Sequence, residues 1–362
     1  MPSFRRASTT ISVIIAVMIL LSCFQVTVRA QADLDPIVVL YDAEHSPQFS
    51  PTDEDEGLKL MLDMVNASTR YLVKINEDPI RNNTLSDVDV LIIASPDRSN
   101  EFTASEVAAI DEMMNNGSSL LLLGDPSIGQ NSSYWNDPQF QDLGETIAIN
   151  RLLDSLNITG PRFSVLYDED DDVYRGDAMF DLNQTLNETA PWVIGMDSST
   201  WDATHPIFRN INELVLMTAT LKPLSLVSSI AKGYETSFAQ YKINDLNMGN
   251  YTYLNQTLYA ENPLSYSAIN GSFPSWLSAF EYNKTRIVMS GSTIMFSGRT
   301  LDIEGSESQW FYTADNSRLF MNMLDWLSEE FVEAPSAIIP MLIISSVILV
   351  VGVSFYILKK TR

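Results

Sequence analysis

The sequence predicts an α/β fold with a mostly parallel sheet flanked by helices, on three observations. Short runs such as Ile37–Tyr41, Leu91–Ile93 and Leu120–Leu123 are apolar at nearly every position, as in strands buried on both faces. Segments with apolar residues at helical spacing alternate with them. The strongest run, Ser118-Ser-Leu-Leu-Leu-Leu-Gly-Asp-Pro-Ser-Ile-Gly129, ends in a turn at the carboxyl end of its strand. Open α/β sheets place their ligands at that end.

The elements follow in order. Ile37–Tyr41 is a buried strand after Pro36, and Asp42–Ser50 is a loop. Thr52 can cap a helix running to Asn66, with Asp53–Glu56 in its first turn and a stripe of Leu58, Met61, Leu62 and Val65. Strands at Tyr71–Ile75 and Val88–Ala94 come next. Thr103-Ala-Ser-Glu106 is a capping box opening a helix with Val107, Ile110 and Met114 on one face, stopped at Gly117. Beyond the leucine strand, Glu145–Leu156 is helical and Phe163–Tyr167 extended. The acidic run Asp168–Asp172 follows, then strands at Trp192–Met196 and Leu214–Thr220. The 230–280 stretch reads as a β-rich or irregular insertion. Arg286–Ser297 is a strand with a glycine turn, and a last helix starts at Asp315 or Asn316. Its inward face is Leu319, Phe320, Met323, Leu324 and Leu327, with Trp326 on the flank.

The ends carry topology. Residues 1–30 combine Arg5 and Arg6, an apolar run from Ile11 to Leu21 and Val28-Arg29-Ala30, the pattern of a cleaved signal peptide. The run 337–358 is apolar enough for one transmembrane helix, and Lys359, Lys360 and Arg362 form a short cytoplasmic tail behind it. Residues 31–330 are then one extracytoplasmic domain, 331–336 a spacer, and the whole a single-pass type I membrane protein. Residues 31–336 hold 16 of the 22 basic and all 46 acidic residues, a net charge of −30 that excludes nucleic acid as a partner. The one cysteine, Cys23, lies in the signal segment, so the mature domain has no disulfide. Of 24 asparagines, 11 head N-glycosylation triplets: Asn66, Asn82, Asn116, Asn131, Asn157, Asn183, Asn187, Asn250, Asn255, Asn270 and Asn283. That density fits a glycoprotein surface outside the cytoplasm.

Candidate chemistry is sparse. The ligand-binding candidates are Asp42, His45, Asp125 and Ser127, all beyond strand ends. A Ser127–His45–Asp42 hydrolase is conceivable, but the turn lacks the G-x-S-x-G elbow, and a solvated loop His45 is the simpler account. Asp197, Asp202 and His205 could hold a metal with Asp168–Asp172, yet the run lacks calcium-loop spacing, so no metal and no cofactor is expected. Trp201, Trp276 and Trp310 could stack on sugar rings or simply fill the core.

Leu120–Gly129, His205-Pro206-Ile207-Phe208 leading into Leu214–Thr220, and Arg286–Phe296 followed by Asn316–Leu327 together resemble a known family. It is the non-catalytic, membrane-associated branch of the class I glutamine-amidotransferase-like domains (gliding and intraflagellar-transport type). That branch includes archaeal and bacterial membrane proteins and the 48 kDa subunit of oligosaccharyltransferase. The resemblance implies a flavodoxin/amidotransferase-like sheet and a chain that is not an enzyme, since the mature part has no cysteine nucleophile. It implies a membrane-anchored scaffold within an integral membrane complex, such as an oligosaccharyltransferase-like assembly around its catalytic subunit. The tail Lys359-Lys360-Thr361-Arg362 is similar to that subunit's dilysine signal, although the positive-inside rule yields such a tail unaided. The additional β-rich domain of that subunit is missing before the span, or replaced by 230–280. Two further readings stand beside this one: an accessory ligand-binding ectodomain of an ABC-type transporter or cell-surface system, and a hydrolase using Ser127 or a metal.

Overall fold

The structure, a computed structural model, describes residues 36–126, 146–168, 173–187, 190–222, 228–241, 274–301, 303 and 306–328. The signal segment 1–30, the 337–358 run, the tail, Ser127 and the acids 169–172 lie outside them. Among the described residues no helix is long and apolar enough to cross a membrane.

Strands β1 (Ile37–Asp42), β2 (Tyr71–Asn76), β3 (Val90–Ala94) and β4 (Ser119–Leu123) form where the apolar runs predict them. Between them lie α1 (Lys59–Ala67), a single helical turn at Asn82–Leu85, and α2 (Ala104–Asn115). Every residue of β3 and β4 is buried. The capping box is complete: Thr103 Oγ1 accepts from the Glu106 N–H, and the Glu106 carboxylate accepts from the Thr103 N–H. Helix α1 corrects the expected start. Asp53 Oδ1 accepts from the N–H groups of Asp55 at 2.9 Å and Glu56 at 3.0 Å, so the acids form an Asx turn ahead of the helix. Four adjacent carboxylates repel less in that opened turn than in one helical turn. The stripe itself holds, with Leu58, Met61, Leu62 and Val65 all buried.

After α3 (Ile147–Ser155) the expected single strand divides into β5 (Arg162–Phe163) and β6 (Val165–Asp168). Ser164, fully buried, sends its N–H to Thr220 O at 2.9 Å, and the chain changes sheets there. β7 (Val173–Phe180) pairs with β6 and later with β12 (Phe238–Tyr241) in a small antiparallel sheet. β8 (Ile194–Asp197) and β9 (Glu213–Leu216) make a separate two-stranded sheet, both shorter than expected. β10 (Leu221–Lys222), β11 (Ser229–Lys232), β13 (Ser275–Tyr282) and β14 (Thr285–Ser290) join the main sheet. Both ends of the 230–280 stretch are therefore strands, and 242–273 lie outside the described residues. The closing helix is α4 (Asn316–Leu327), its five predicted inward residues all buried.

The main sheet has nine strands in the order β2-β1-β3-β4-β14-β13-β10-β5, with β11 also on β13. From β2 to β14 every pairing is parallel; beyond β14 all are antiparallel. The class is thus α/β with a largely parallel centre. Helices α2 and α3 bury Ile110, Met113, Ile149 and Leu153 against Leu91, Leu120, Leu122 and Met289 on one face. On the other, α4 packs over β4 and β14, and Ser119 Oγ donates to Leu327 O at 2.9 Å. The fully buried Asn316 sends its amide to the carbonyls of Val215, Met295 and Trp310 and accepts from Val215 N–H, fixing the start of α4.

Candidate functional site

The parallel strands share a carboxyl edge, and β1 lies between β2 and β3, so connections leave it in opposite directions. Such a switch point is where α/β proteins hold ligands. Here, among the described residues, the loops after β1 and β3 are laced together. Asp97 N–H donates to His45 O at 3.0 Å, and Asn100 Nδ2 donates to Glu44 O at 3.1 Å and Glu44 Oε2 at 2.9 Å. Ala94 N–H adds a longer bond to Ser46 Oγ at 3.4 Å.

His45 sits under that lacing. It is 1% exposed, against the expectation of a solvated loop residue. Its ring stacks on Phe102 at 4.0 Å, an apolar contact that holds the loop inward. Nδ1 lies 2.8 Å from Asp42 Oδ2 and 3.2 Å from Glu44 Oε2, while Nε2 faces Glu106 Oε1 at 3.6 Å. Burial opposes the imidazolium, but the Asp42 hydrogen bond and the charges of Asp42, Glu44 and Glu106 outweigh it, and the pKa is raised. Burial also works against the Glu106 carboxylate. Bonds from Thr103 and the Ile80 N–H, with the His45 charge, nevertheless hold its pKa below the ordinary value. Asp42 is fixed in turn by Asn76 Nδ2 at 3.3 Å.

Asp125 belongs to a second network, at the ends of β3, β4 and β14. It is fully buried, and burial pushes its carboxyl up to about 7 despite its hydrogen bonds. Oδ1 accepts from the N–H groups of Thr293 and Ile294, each at 3.0 Å, and Oδ2 accepts from Ser95 Oγ. Ser95 has φ +43, a left-handed backbone at a non-glycine residue, held by its N–H bond to Leu123 O at 2.7 Å. The turn after β14 presses just as closely. A Cβ on Gly291 would come 2.0 Å from Ala219 O, so only glycine fits.

Of the four candidates, the structure joins Asp42 to His45, places Asp125 in a separate clamp, and leaves Ser127 outside the described residues. Sequence reasoning missed Glu44 and Ser95, and saw Glu106 only as a helix cap. Nothing local in the sequence marks Ser95: its place before Pro96 favours an extended backbone, not the left-handed one found. Asp197 and Asp202 each close a local turn, onto Ser199 and Thr204. His205 accepts from the Ile207 N–H, starting the 3-10 turn Pro206–Phe208. The only metal-type grouping among the described residues is Glu44, His45 and Glu106. Trp201, Trp276 and Trp310 are buried, so they fill the interior rather than offer a face to sugars. Asn66, Asn82, Asn116, Asn157, Asn183 and Asn283 are exposed and Asn187 half-buried; Asn131, Asn250, Asn255 and Asn270 lie outside the described residues.

No family model and no curated protein matches the chain. Solved structures do resemble it. One is the mmIFT52 N-terminal domain, at 18% identity and a TM-score of 0.49, covering 80% of this chain and 100% of that one. Another is a ThuA-like protein from Bacteroides uniformis ATCC 8492, at 13% identity and a TM-score of 0.37, covering 81% and 91%. A third is a GMP synthase component from Thermoplasma acidophilum, at 9% identity and a TM-score of 0.33, covering 82% and 96%. At these identities the likeness extends to fold alone.

Proposed function

We propose that the chain is a non-catalytic, membrane-anchored scaffold or binding subunit whose α/β domain stands outside the cytoplasm. The observation that carries this reading is the laced switch point. Where an α/β enzyme opens a crevice to its substrate, Asp97 and Asn100 here bond across to His45 and Glu44. Asp42, His45 and Asp125 face inward with at most 1% exposure. Groups so enclosed hold loops in place; they do not meet a substrate without a rearrangement of both loops. The anchor and the compartment rest on the terminal apolar runs and on the N-glycosylation triplets of the sequence.

The partner complex is proposed to be an oligosaccharyltransferase-like assembly, on the resemblance described above. Co-purification of the full chain from a mild detergent extract of its native membrane tests it. Recovery of a glycan-transferring integral membrane protein supports this partner; recovery of an ATP-driven transporter replaces it with the accessory-ectodomain reading. Hydrolysis of ester or amide substrates by the purified chain, abolished by His45→Ala or Ser127→Ala, would overturn the non-catalytic reading itself.

A further inference from the structure

We propose that Glu44, His45 and Glu106 form a binding site for one divalent transition cation, of the zinc or manganese class, that clasps the loop after β1 to the start of α2. Three features of the geometry lead there. First, the His45 ring is 1% exposed, and both its nitrogens face only carboxylate oxygens, those of Asp42, Glu44 and Glu106. Three carboxylates around one imidazole leave an excess of negative charge even when the ring is protonated, and a divalent ion in place of that proton offsets more of it. Second, Nδ1 is held by Asp42 Oδ2 at 2.8 Å, the carboxylate–histidine pairing that fixes a ring tautomer and turns the other nitrogen toward a metal. Third, that other nitrogen, Nε2, faces Glu106 Oε1 at 3.6 Å, beyond hydrogen-bonding reach. With metal–ligand bonds of about 2.1 Å, an ion between these two atoms would subtend an angle of about 120°, close to tetrahedral.

Glu44 supplies the third ligand. One donor atom from each of Glu44, His45 and Glu106 already lies within 4.8 Å of the others. Glu44 is 22% exposed and now faces Nδ1; a swing toward Nε2 that releases its carboxylate from Asn100 Nδ2, while the Asn100 bond to Glu44 O stays, completes the set. Glu106 needs no movement: the Ile80 and Thr103 N–H groups and the Thr103 hydroxyl already fix its carboxylate. A water molecule would fill the remaining position, since nothing in the set supplies a fourth side chain.

The test uses the full chain in detergent, stripped with a chelator and titrated with zinc chloride by calorimetry at about pH 8, where proton competition is small. The chain holds only two histidines, so ring NMR signals report each separately. The expected result is one saturable site, with the His45 ring signals shifted and those of His205 unmoved. Glu44→Gln should weaken binding at least tenfold and His45→Gln should abolish it, while Asp111→Asn, an exposed acid elsewhere on α2, should change nothing. Glu44 sits near the surface, so its variant keeps the test decisive even if His45→Gln fails to fold. No saturable binding, binding that leaves the His45 ring unshifted, or equal affinity in Glu44→Gln would overturn the proposal.

Discussion

Replacing Asp125 tests whether the carboxyl edge is held by an interior clamp. In Asp125→Ala the N–H groups of Thr293 and Ile294 lose their acceptor inside the protein, whereas Ser95 Oγ can turn to Thr293 Oγ1, 3.0 Å away. Each buried donor left unpaired costs about 1–3 kcal/mol, so the variant should lose about 2–6 kcal/mol at about pH 5. Asp125→Asn keeps the oxygen that serves both N–H groups and should stay within about 1 kcal/mol of the parent. The two variants also separate in pH. The folded carboxyl keeps its proton up to about 7, against an ordinary value of 3.8. Between those values the folded chain binds more protons than the unfolded one, so stability is greatest at the acid end and falls as pH rises. Over that window the loss amounts to roughly 4 kcal/mol for this one group. Asp177, buried and bonded to Thr220, is pushed to about 7 in the same way and adds a like slope. Asp125→Asn should therefore remove this group's share of the decline and leave that of Asp177. Urea unfolding of the unit Ile37–Glu329, followed by tryptophan fluorescence between about pH 4 and 7.5, measures both effects. An unchanged slope in Asp125→Asn, or a cost below about 1 kcal/mol in Asp125→Ala, would refute the reasoning.

Other positions yield sharper but simpler outcomes. Thr103→Ala removes the acceptor for Glu106 N–H and should cost about 1 kcal/mol in the same urea assay; no shift in midpoint would show that the cap contributes nothing. Gly291→Ala drives a methyl group against Ala219 O and should cost about 1–3 kcal/mol or more, unless the turn relaxes, in which case an unshifted melting temperature will reveal it. Leu121→Ala, at a fully buried position of β4, should cost about 2–5 kcal/mol by cavity formation, and a smaller loss would mean that the sheet collapses around it. Glycopeptide mass spectrometry of protein from its native membrane should find modification among the exposed Asn66, Asn82, Asn116, Asn157, Asn183 and Asn283. Bare asparagine at all of them would contradict the extracytoplasmic placement.

How far the sequence reveals this protein depends on how local each signal is. Strands β1 to β4 and helix α2 are legible because each carries its own pattern: Leu120–Leu123 cannot be exposed, and Thr103 and Glu106 mark a helix start three residues apart. The division at Ser164 is not legible, since Val165 pairs with the nearby β7 while Phe163 pairs in a different sheet with Leu221 of β10, far along the chain. The same holds for the site. The Asp42–His45 contact spans three residues and can be read from their shared loop. The approach of Glu106 to His45, and of Ser95 and Thr293 to Asp125, depends on the order of strands in the sheet. Burial of His45 follows from the same cause, because the loop after β3 closes over it.

The pairing of β4 with β14, Leu120 beside Ile287 and Leu123 beside Ser290, has a consequence for how the chain is made. The most apolar strand must wait for a neighbour encoded about 170 residues later, on the order of 10 to 30 seconds at ordinary synthesis rates. Throughout that interval one flank of the leucine strand is open to any extended segment, its own or another chain's. Biogenesis, more than the finished state, is then the vulnerable stage. Nascent chains arrested before Thr285 should be cut readily by protease, and chains released past Ser328 should resist.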